Sequence, residues 1–260
     1  MPESPEVKLT TEYLKSKLEN SVIVDWVFTR KKNPNGFDKF TYALPLIVEN
    51  VECKGKFIYF TLFNETGYFY VLHSLRMTGE WQDNEDKYCN SYIELMDGEN
   101  IWFRDPRCFA TFEFTDKQSM LKEYLFKLGP DIMSDEFSIP VWNELIKKHK
   151  NKNITSFLMN QDIISGIGNY LKAEVLYYAK ISPLRKTGDL SCKEIRKLYE
   201  AIIIIPRIIY NKKILSKSDY ESVDKKGYYN GELCIYGKIC AQKDKTSDGR
   251  ITFWDPNKQF

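Results

Sequence analysis

The apolar pattern changes character at Leu128-Gly129-Pro130, and this change constrains the fold more than any other feature of the chain. Before it, Val22 to Arg30, Leu46 to Lys54, Phe57 to Phe63 and Tyr68 to Leu75 are short runs rich in β-branched and aromatic residues. Asn64-Glu65-Thr66-Gly67 separates two of them as a hairpin turn. Tyr92 to Leu95, Ile101 to Arg104 and Thr111 to Thr115 continue the series, with Asp97-Gly98 as a further turn. Short strands with regular turn signals predict a sandwich or barrel. A helix over Pro5 to Leu18, with Val7, Leu14 and Leu18 on one face, precedes them.

After the change, Pro140 to Lys150, Ile154 to Met159, Asn169 to Tyr178 and Ser191 to Pro206 have helical spacing. Ser191 and Glu194 have the spacing of a capping box, and Pro206 is expected to end or kink the last helix. The tail from Glu232 to Phe260 returns to strands, with Asp248-Gly249 as a hairpin turn. With 260 residues, 43% of them hydrophobic, the chain is long enough for two modest cores. The expected architecture is α+β multidomain. A β-rich domain covers residues 1–128, a linker covers 129–139, and a helical domain covering 140–260 ends in a β-hairpin.

The longest apolar stretch, Ala201 to Ile209, is broken by Pro206 and too short to span a bilayer. No basic segment followed by an apolar one opens the chain, so a soluble, intracellular protein is expected. The formal charge of +2 does not announce nucleic-acid binding, but its distribution is uneven. Basic residues cluster at Arg30-Lys31-Lys32, Lys147-Lys148-His149-Lys150, Lys212-Lys213, Lys225-Lys226 and around Lys243. Such clusters either follow a phosphate backbone or are solvated surface. The six cysteines lack paired spacing and only two histidines accompany them, so no zinc site is expected and reduced thiols are the better reading.

Two segments carry chemistry. Removal of Met1 would leave Pro2 as an amino-terminal secondary amine. An unperturbed terminal amine titrates near roughly 7.7–8.0, so part of it is a free nucleophile at neutral pH, capable of imine chemistry with a sugar carbon. Taken alone, Pro2 reads as an ordinary second residue, and it is the motifs further along that overturn this. In Gln161 to Tyr170, Gly166 and Gly168 permit tight turns and close approach of a ligand. Asn169 is placed to cap the following helix, whose free amides make a phosphate-sized site. An ordinary helix–helix connection is the alternative.

The opening MPESPE, the DPRCF at Asp105 to Phe109 and the segment GIGNYLKAEVLYYAKISP together resemble the formamidopyrimidine-DNA glycosylase and endonuclease VIII family, with motifs in the family's order along essentially the whole chain. The resemblance implies a two-domain enzyme that excises oxidised bases. Its parts would be an amino-terminal β-sandwich with flanking helices, a helix–two-turns–helix domain and a terminal hairpin finger, with damaged DNA held in the cleft between domains. It implies a monomer working at DNA; with these cysteines, no metal is expected, and no diffusible cofactor is needed.

Roles follow where residues match. Pro2 corresponds to the nucleophile, Glu3 to the general acid that serves the opening sugar, and Lys56 to a strand lysine contacting the phosphate beside the lesion. Glu6 and Glu174 match carboxylates that shape the site, and Asn169 a phosphate-binding asparagine. Because the base must leave the stack to react, the void needs filling, and Met77, Arg107 and Phe109 match the residues that do so. The departures are Ser4, Arg76 and Cys108, where the family commonly has Gly or Leu, Gly and Arg. The finger, about residues 233–260, lacks the family's four zinc cysteines. Its Tyr236-Gly237 followed by Gly249-Arg250 resembles the zincless finger of the endonuclease VIII-like 1 branch, with Arg250 as the finger arginine. That branch implies oxidised pyrimidines as favoured substrates and β,δ-elimination, whereas Lys225 to Leu233 resembles a loop of the purine-preferring branch. The alternative from another class is a non-catalytic nucleic-acid-binding protein built on a helix–two-turns–helix element.

Overall fold

A computed structural model describes residues 2–29, 33–217 and 233–260. The basic run Arg30-Lys31-Lys32, the pair Lys225-Lys226 and most of the Lys225–Leu233 segment lie outside the described residues. The chain divides into two compact units, the first formed by Met1–Pro2 and Glu6–Lys127, the second by Glu3–Pro5 and Leu128–Phe260.

In the first unit, helix α1 (Ser4–Leu18) leads into β1 (Val22–Phe28), α2 (Phe37–Ala43), β2 (Leu46–Lys54), β3 (Phe57–Asn64) and β4 (Gly67–Ser74). Then follow β5 (Glu80–Gln82), β6 (Cys89–Leu95), β7 (Asn100–Arg104), β8 (Thr111–Thr115) and α3 (Gln118–Lys127). The eight strands make one antiparallel sheet in the order β5-β7-β6-β1-β2-β3-β4-β8. Register shifts at Ile23/Asp25, Val48/Asn50 and Cys89/Ser91 bend it. The sheet folds over into a sandwich: Trp81 on β5 and Phe112 on β8, at opposite ends of the strand order, stand 6.2 Å apart. Between the layers the indole of Trp26 meets Phe40, Phe60, Trp81, Phe112 and Phe114 edge-on at 5.3–5.9 Å. Offset and edge-on aromatic contacts of this kind add to the gain from burial.

Polar side chains enter this aromatic core: Ser91 Oγ accepts the Trp26 indole N–H at 2.9 Å, and His73 lies against Phe112. His73 is 1% exposed, stacks on Phe112 and accepts the Trp81 indole N–H on Nε2 at 3.2 Å. Its Nδ1 therefore carries the proton and donates to the Thr111 carbonyl at 3.0 Å. Burial drives its pKa down to about 3, so the ring is neutral.

The second unit holds α4 (Ile139–Lys148), α5 (Ile154–Met159), α6 (Asn169–Ala179), α7 (Cys192–Lys217) and a hairpin of β9 (Gln242–Lys245) with β10 (Ile251–Trp254). Trp142, Phe157, Leu171, Leu176, Leu198 and Ile202 from four helices share one core, and Ile132 and Phe137 from the 129–139 segment are buried in it too. The Ser191–Glu194 capping box forms: Glu194 N–H donates to Ser191 Oγ at 3.3 Å and Ser191 N–H to Glu194 Oε2 at 2.8 Å. Pro206 does not end the last helix, which runs on to Lys217. The apolar face on both sides of the proline is buried, and Arg207 donates to the Ile203 carbonyl at 2.9 Å, in the turn that the proline disturbs. Among the described residues, no helix is long and apolar enough to cross a membrane.

Candidate active site

The first unit has a cavity of about 320 Å³ whose wall includes Pro2, Glu6, Thr10, Met77, Thr78, Gly79, Glu80 and Arg104. Glu6 and Thr10 lie one turn apart on α1, which brings both side chains to one face. Met77 stands half-buried in the turn between β4 and β5, next to Arg76 at φ 55°. Glu80 and Arg104 are cross-strand neighbours on β5 and β7, and the Arg104 guanidinium is tied to Asp86 at 2.7 Å.

Asp105 lies behind this wall and is 1% exposed. Its carboxylate accepts the Thr78 hydroxyl and the Ala110 N–H (2.8 Å), and its carbonyl accepts the Asn90 amide at 3.0 Å. One buried carboxylate thereby fastens the Met77 turn to the loop that carries Arg107 and Phe109. Both of these are exposed, and the guanidinium lies 4.6 Å from the centre of the Phe109 ring. Arg107, Phe109 and Lys56 are not among the residues lining the cavity. Lys56 is also not in a strand, as the motif comparison had it. It occupies the two-residue turn between β2 and β3, where Gly55 at φ 60° supplies the conformation that such hairpins need first.

In the second unit, the glycine-rich turn receives the chain's own opening residues. The Glu3 side chain is fully buried and accepts the backbone N–H of Gly168 (2.6 Å), Tyr170 (2.9 Å) and Leu171 (3.1 Å). These are the orphan donors of the α6 amino terminus, and a carboxylate is the acceptor that end of a helix favours. A Cβ at Gly168 would stand 2.3 Å from the Glu3 carboxyl carbon, and one at Gly166 (φ +110°) 2.4 Å from Ser4 Oγ. The glycines are there to seat residues 3 and 4. The expected phosphate-sized site on these amides is therefore already taken by Glu3, and the helix cap falls to Gly168, with Asn169 inside the helix.

Asn169 instead donates its side-chain amide to the Ile251 carbonyl at 3.1 Å, joining α6 to the hairpin. Glu174, also fully buried, accepts the N–H groups of Cys234 (2.9 Å), Ile235 (3.0 Å) and Tyr236 (2.8 Å), where the chain enters the finger. Arg250 is exposed at the end of the Thr246–Arg250 turn, between β9 and β10.

Residues 1–112 match the formamidopyrimidine-DNA glycosylase N-terminal domain, and residues 128–217 match the formamidopyrimidine-DNA glycosylase H2TH domain. A formamidopyrimidine-DNA glycosylase of Prochlorococcus marinus is 32% identical over the full length of both chains. One of Legionella pneumophila is 30% identical, covering 95% of this chain and 93% of that one. The chain belongs to the formamidopyrimidine-DNA glycosylase family. Members of this family are DNA-repair enzymes that act on oxidised bases. Among solved structures, wild-type Lactococcus lactis Fpg in complex with DNA containing N7-benzyl-Fapy-dG superposes with a TM-score of 0.82 at 26% identity over 99% of both chains. The same protein in complex with DNA containing an oxidised pyrimidine gives 0.81 at 25% identity, again over 99% of both.

For a member of the formamidopyrimidine-DNA glycosylase family, the sequence marked Pro2, Glu6 and Met77, which share one cavity wall. It did not mark Thr10, Glu80, Arg104, Asp105, Lys172 or Asp248. The first three enter the wall by strand register and helix phase, which motif matching does not score. Asp105 stood within the quoted DPRCF segment but carried no role, because its partner Thr78 lies 27 residues away.

Proposed function

We propose that the chain is a bifunctional DNA glycosylase and abasic-site lyase that works through an imine at Pro2. The observation that carries this reading is the position of Pro2 on a cavity wall beside Glu6 and Met77. With Met1 removed, the proline nitrogen attacks C1′ of the damaged nucleotide. The C1′–N bond breaks and the base leaves, taking a proton from solvent; the C1′–O4′ bond then opens as the amine's proton passes by way of Glu3 to O4′, and an iminium joins Pro2 to the deoxyribose. The positive charge acidifies C2′, so loss of a C2′ proton breaks the C3′–O bond, and a second elimination breaks C5′–O.

Glu3 is the group assigned to proton transfer. Three N–H donors hold it in place, and in this reading it takes the proton of the attacking amine and returns it to the sugar oxygen. Lys56, Asn169 and Arg250 bind phosphates around the flipped nucleotide, with Glu6 and Glu174 in support. Met77, Arg107 and Phe109 fill the void in the duplex. Oxidised pyrimidines are the favoured substrates, in line with the likeness of the finger to the zincless branch. The 1–128, 129–139 and 140–260 division remains our functional partition of the chain.

Borohydride trapping tests the chemistry. Protein lacking Met1 is mixed with oligonucleotides carrying an abasic site or an oxidised pyrimidine, reduced, and run on a denaturing gel. A covalent adduct is expected, and it should disappear when the amino terminus is blocked. A trimmed protein that binds the DNA without forming an adduct would leave the non-catalytic binding role in its place.

A further inference from the structure

The finger hairpin consists of two strands of four residues each, and an isolated two-stranded hairpin is marginal in water. A zinc ion does not fit it. A structural zinc needs four converging ligands, and beyond Cys192 the chain has only Cys234 and Cys240 and no histidine. Among the described residues, no group of three or more His, Cys, Asp or Glu is arranged to hold a metal. The apolar support is small: Ala173, Ile235 and Ala241 form one buried cluster with Tyr177, Tyr236 and Phe253 packed against it, and Trp254 is buried on β10.

The polar support is more substantial. Lys172 on α6 has a fully buried side chain and places its ammonium 2.7 Å from Asp248, whose side chain is 4% exposed. Burial pulls the lysine's pKa down, and the Asp248 carboxylate opposes that pull. Burial would raise Asp248, but the bonds from Lys172 and Thr246 hold it below the ordinary range. Thr246 donates to Asp248 and pairs with the Thr252 hydroxyl at 2.7 Å, so the bond network crosses the base of the hairpin. A buried ion pair is a poor source of net stability, but it is effective at fixing one arrangement. Here it fixes the turn that ends in Arg250. Arg250 lies two residues from Asp248, is in no ion pair among the described residues, and is close enough for its charge to be felt at Lys172.

We infer that the Lys172–Asp248 pair is the latch of this finger: it pins the Thr246–Arg250 turn to α6 and occupies the Asp248 carboxylate, leaving the Arg250 guanidinium for a DNA phosphate. The inference rests on the reading of Arg250 as a phosphate contact. Lys172 is a positioning residue here. In Lys172→Met, Asp248 turns to Arg250 and removes it from the DNA.

The test measures binding to a duplex with a stable abasic-site analogue over a range of salt, with amide exchange in residues 245–252 read in parallel. Arg250→Ala should shrink the slope of log affinity against log salt by about one phosphate contact. Lys172→Met should shrink it equally and speed exchange in the turn, and combining the two should shrink it no further. Lys172→Arg, which keeps the cation, should retain the slope. Asp248→Asn added to Lys172→Met should restore it, because the competing charge has gone. A Lys172→Met protein that keeps the wild-type slope while Arg250→Ala loses it would overturn the latch and leave the phosphate contact standing. An Arg250→Ala protein with the wild-type slope would overturn the phosphate contact itself, and the latch with it.

Discussion

The loop carrying Arg107 and Phe109 and the turn carrying Arg250 are both short and solvent-facing, and each rests on a buried aspartate. Asp105 is held by neutral donors, a hydroxyl and an amide, within a unit backed by a large aromatic core. Asp248 is held by a lysine, within a hairpin whose apolar support is small. Where packing already determines the backbone, a neutral hydrogen bond suffices to set a loop. Where packing is thin, charge and backbone capping take over, as Lys172 and Glu174 do for the finger. The finger should accordingly be the more sensitive of the two to loss of a single polar group.

The largest expected effect tests that difference directly. Glu174→Ala strands three backbone donors where the chain enters the finger, at a local cost on the order of 3–5 kcal/mol. Exchange at Cys234 to Tyr236 should accelerate strongly while the amides of the sandwich keep their protection. Equal acceleration in both units would break the comparison.

The next effect probes His73 in the aromatic core. The folded pKa of His73, about 3, lies below its unfolded value, so the unfolded chain binds the extra proton first as pH falls. The contribution of His73 is therefore complete above about pH 6.5 and declines below it, by roughly 3 kcal/mol at pH 4.5. Denaturant titrations of the wild type should show this slope, and His73→Gln should flatten it. Asp105→Asn comes third, with a stability loss of about 2 kcal/mol from weakened bonds to Thr78 and Ala110. If the two loops fill the void as proposed, single-turnover excision should slow more than DNA binding weakens, because Asp105 ties both and they loosen together. The smallest is Ser191→Ala, about 1 kcal/mol for the lost α7 cap, read as a small fall in melting temperature with activity unchanged.

How much of this was legible depended on the range of the signal. Strands such as Leu46–Lys54 and Thr111–Thr115 stood out because alternation and turn chemistry are local. Glu80–Gln82 is too short to alternate, and α2 and α3 escaped because α2 is seven residues long and α3 buries only Leu121. Pro206 does not stop α7 because the helix is buried along its apolar face on both sides of the proline. At the site, Glu3 and the glycine-rich turn were each marked separately, yet the separation of 165 positions from Glu3 to Gly168 hid that one is the seat of the other. Lys172 gave no signal at all, since a lysine three residues into a helix reads as solvated until its partner 76 residues away is seen.

The seating of Glu3 also bears on the order in which the chain is made. Residues 3–5 belong to the second unit although they are synthesised first, and their seat includes the backbone of Gly168, Tyr170 and Leu171. On the ribosome that seat does not exist until well over half the chain has emerged. The sandwich can collapse early, but residues 3–5 stay unseated until the glycine-rich turn has been translated.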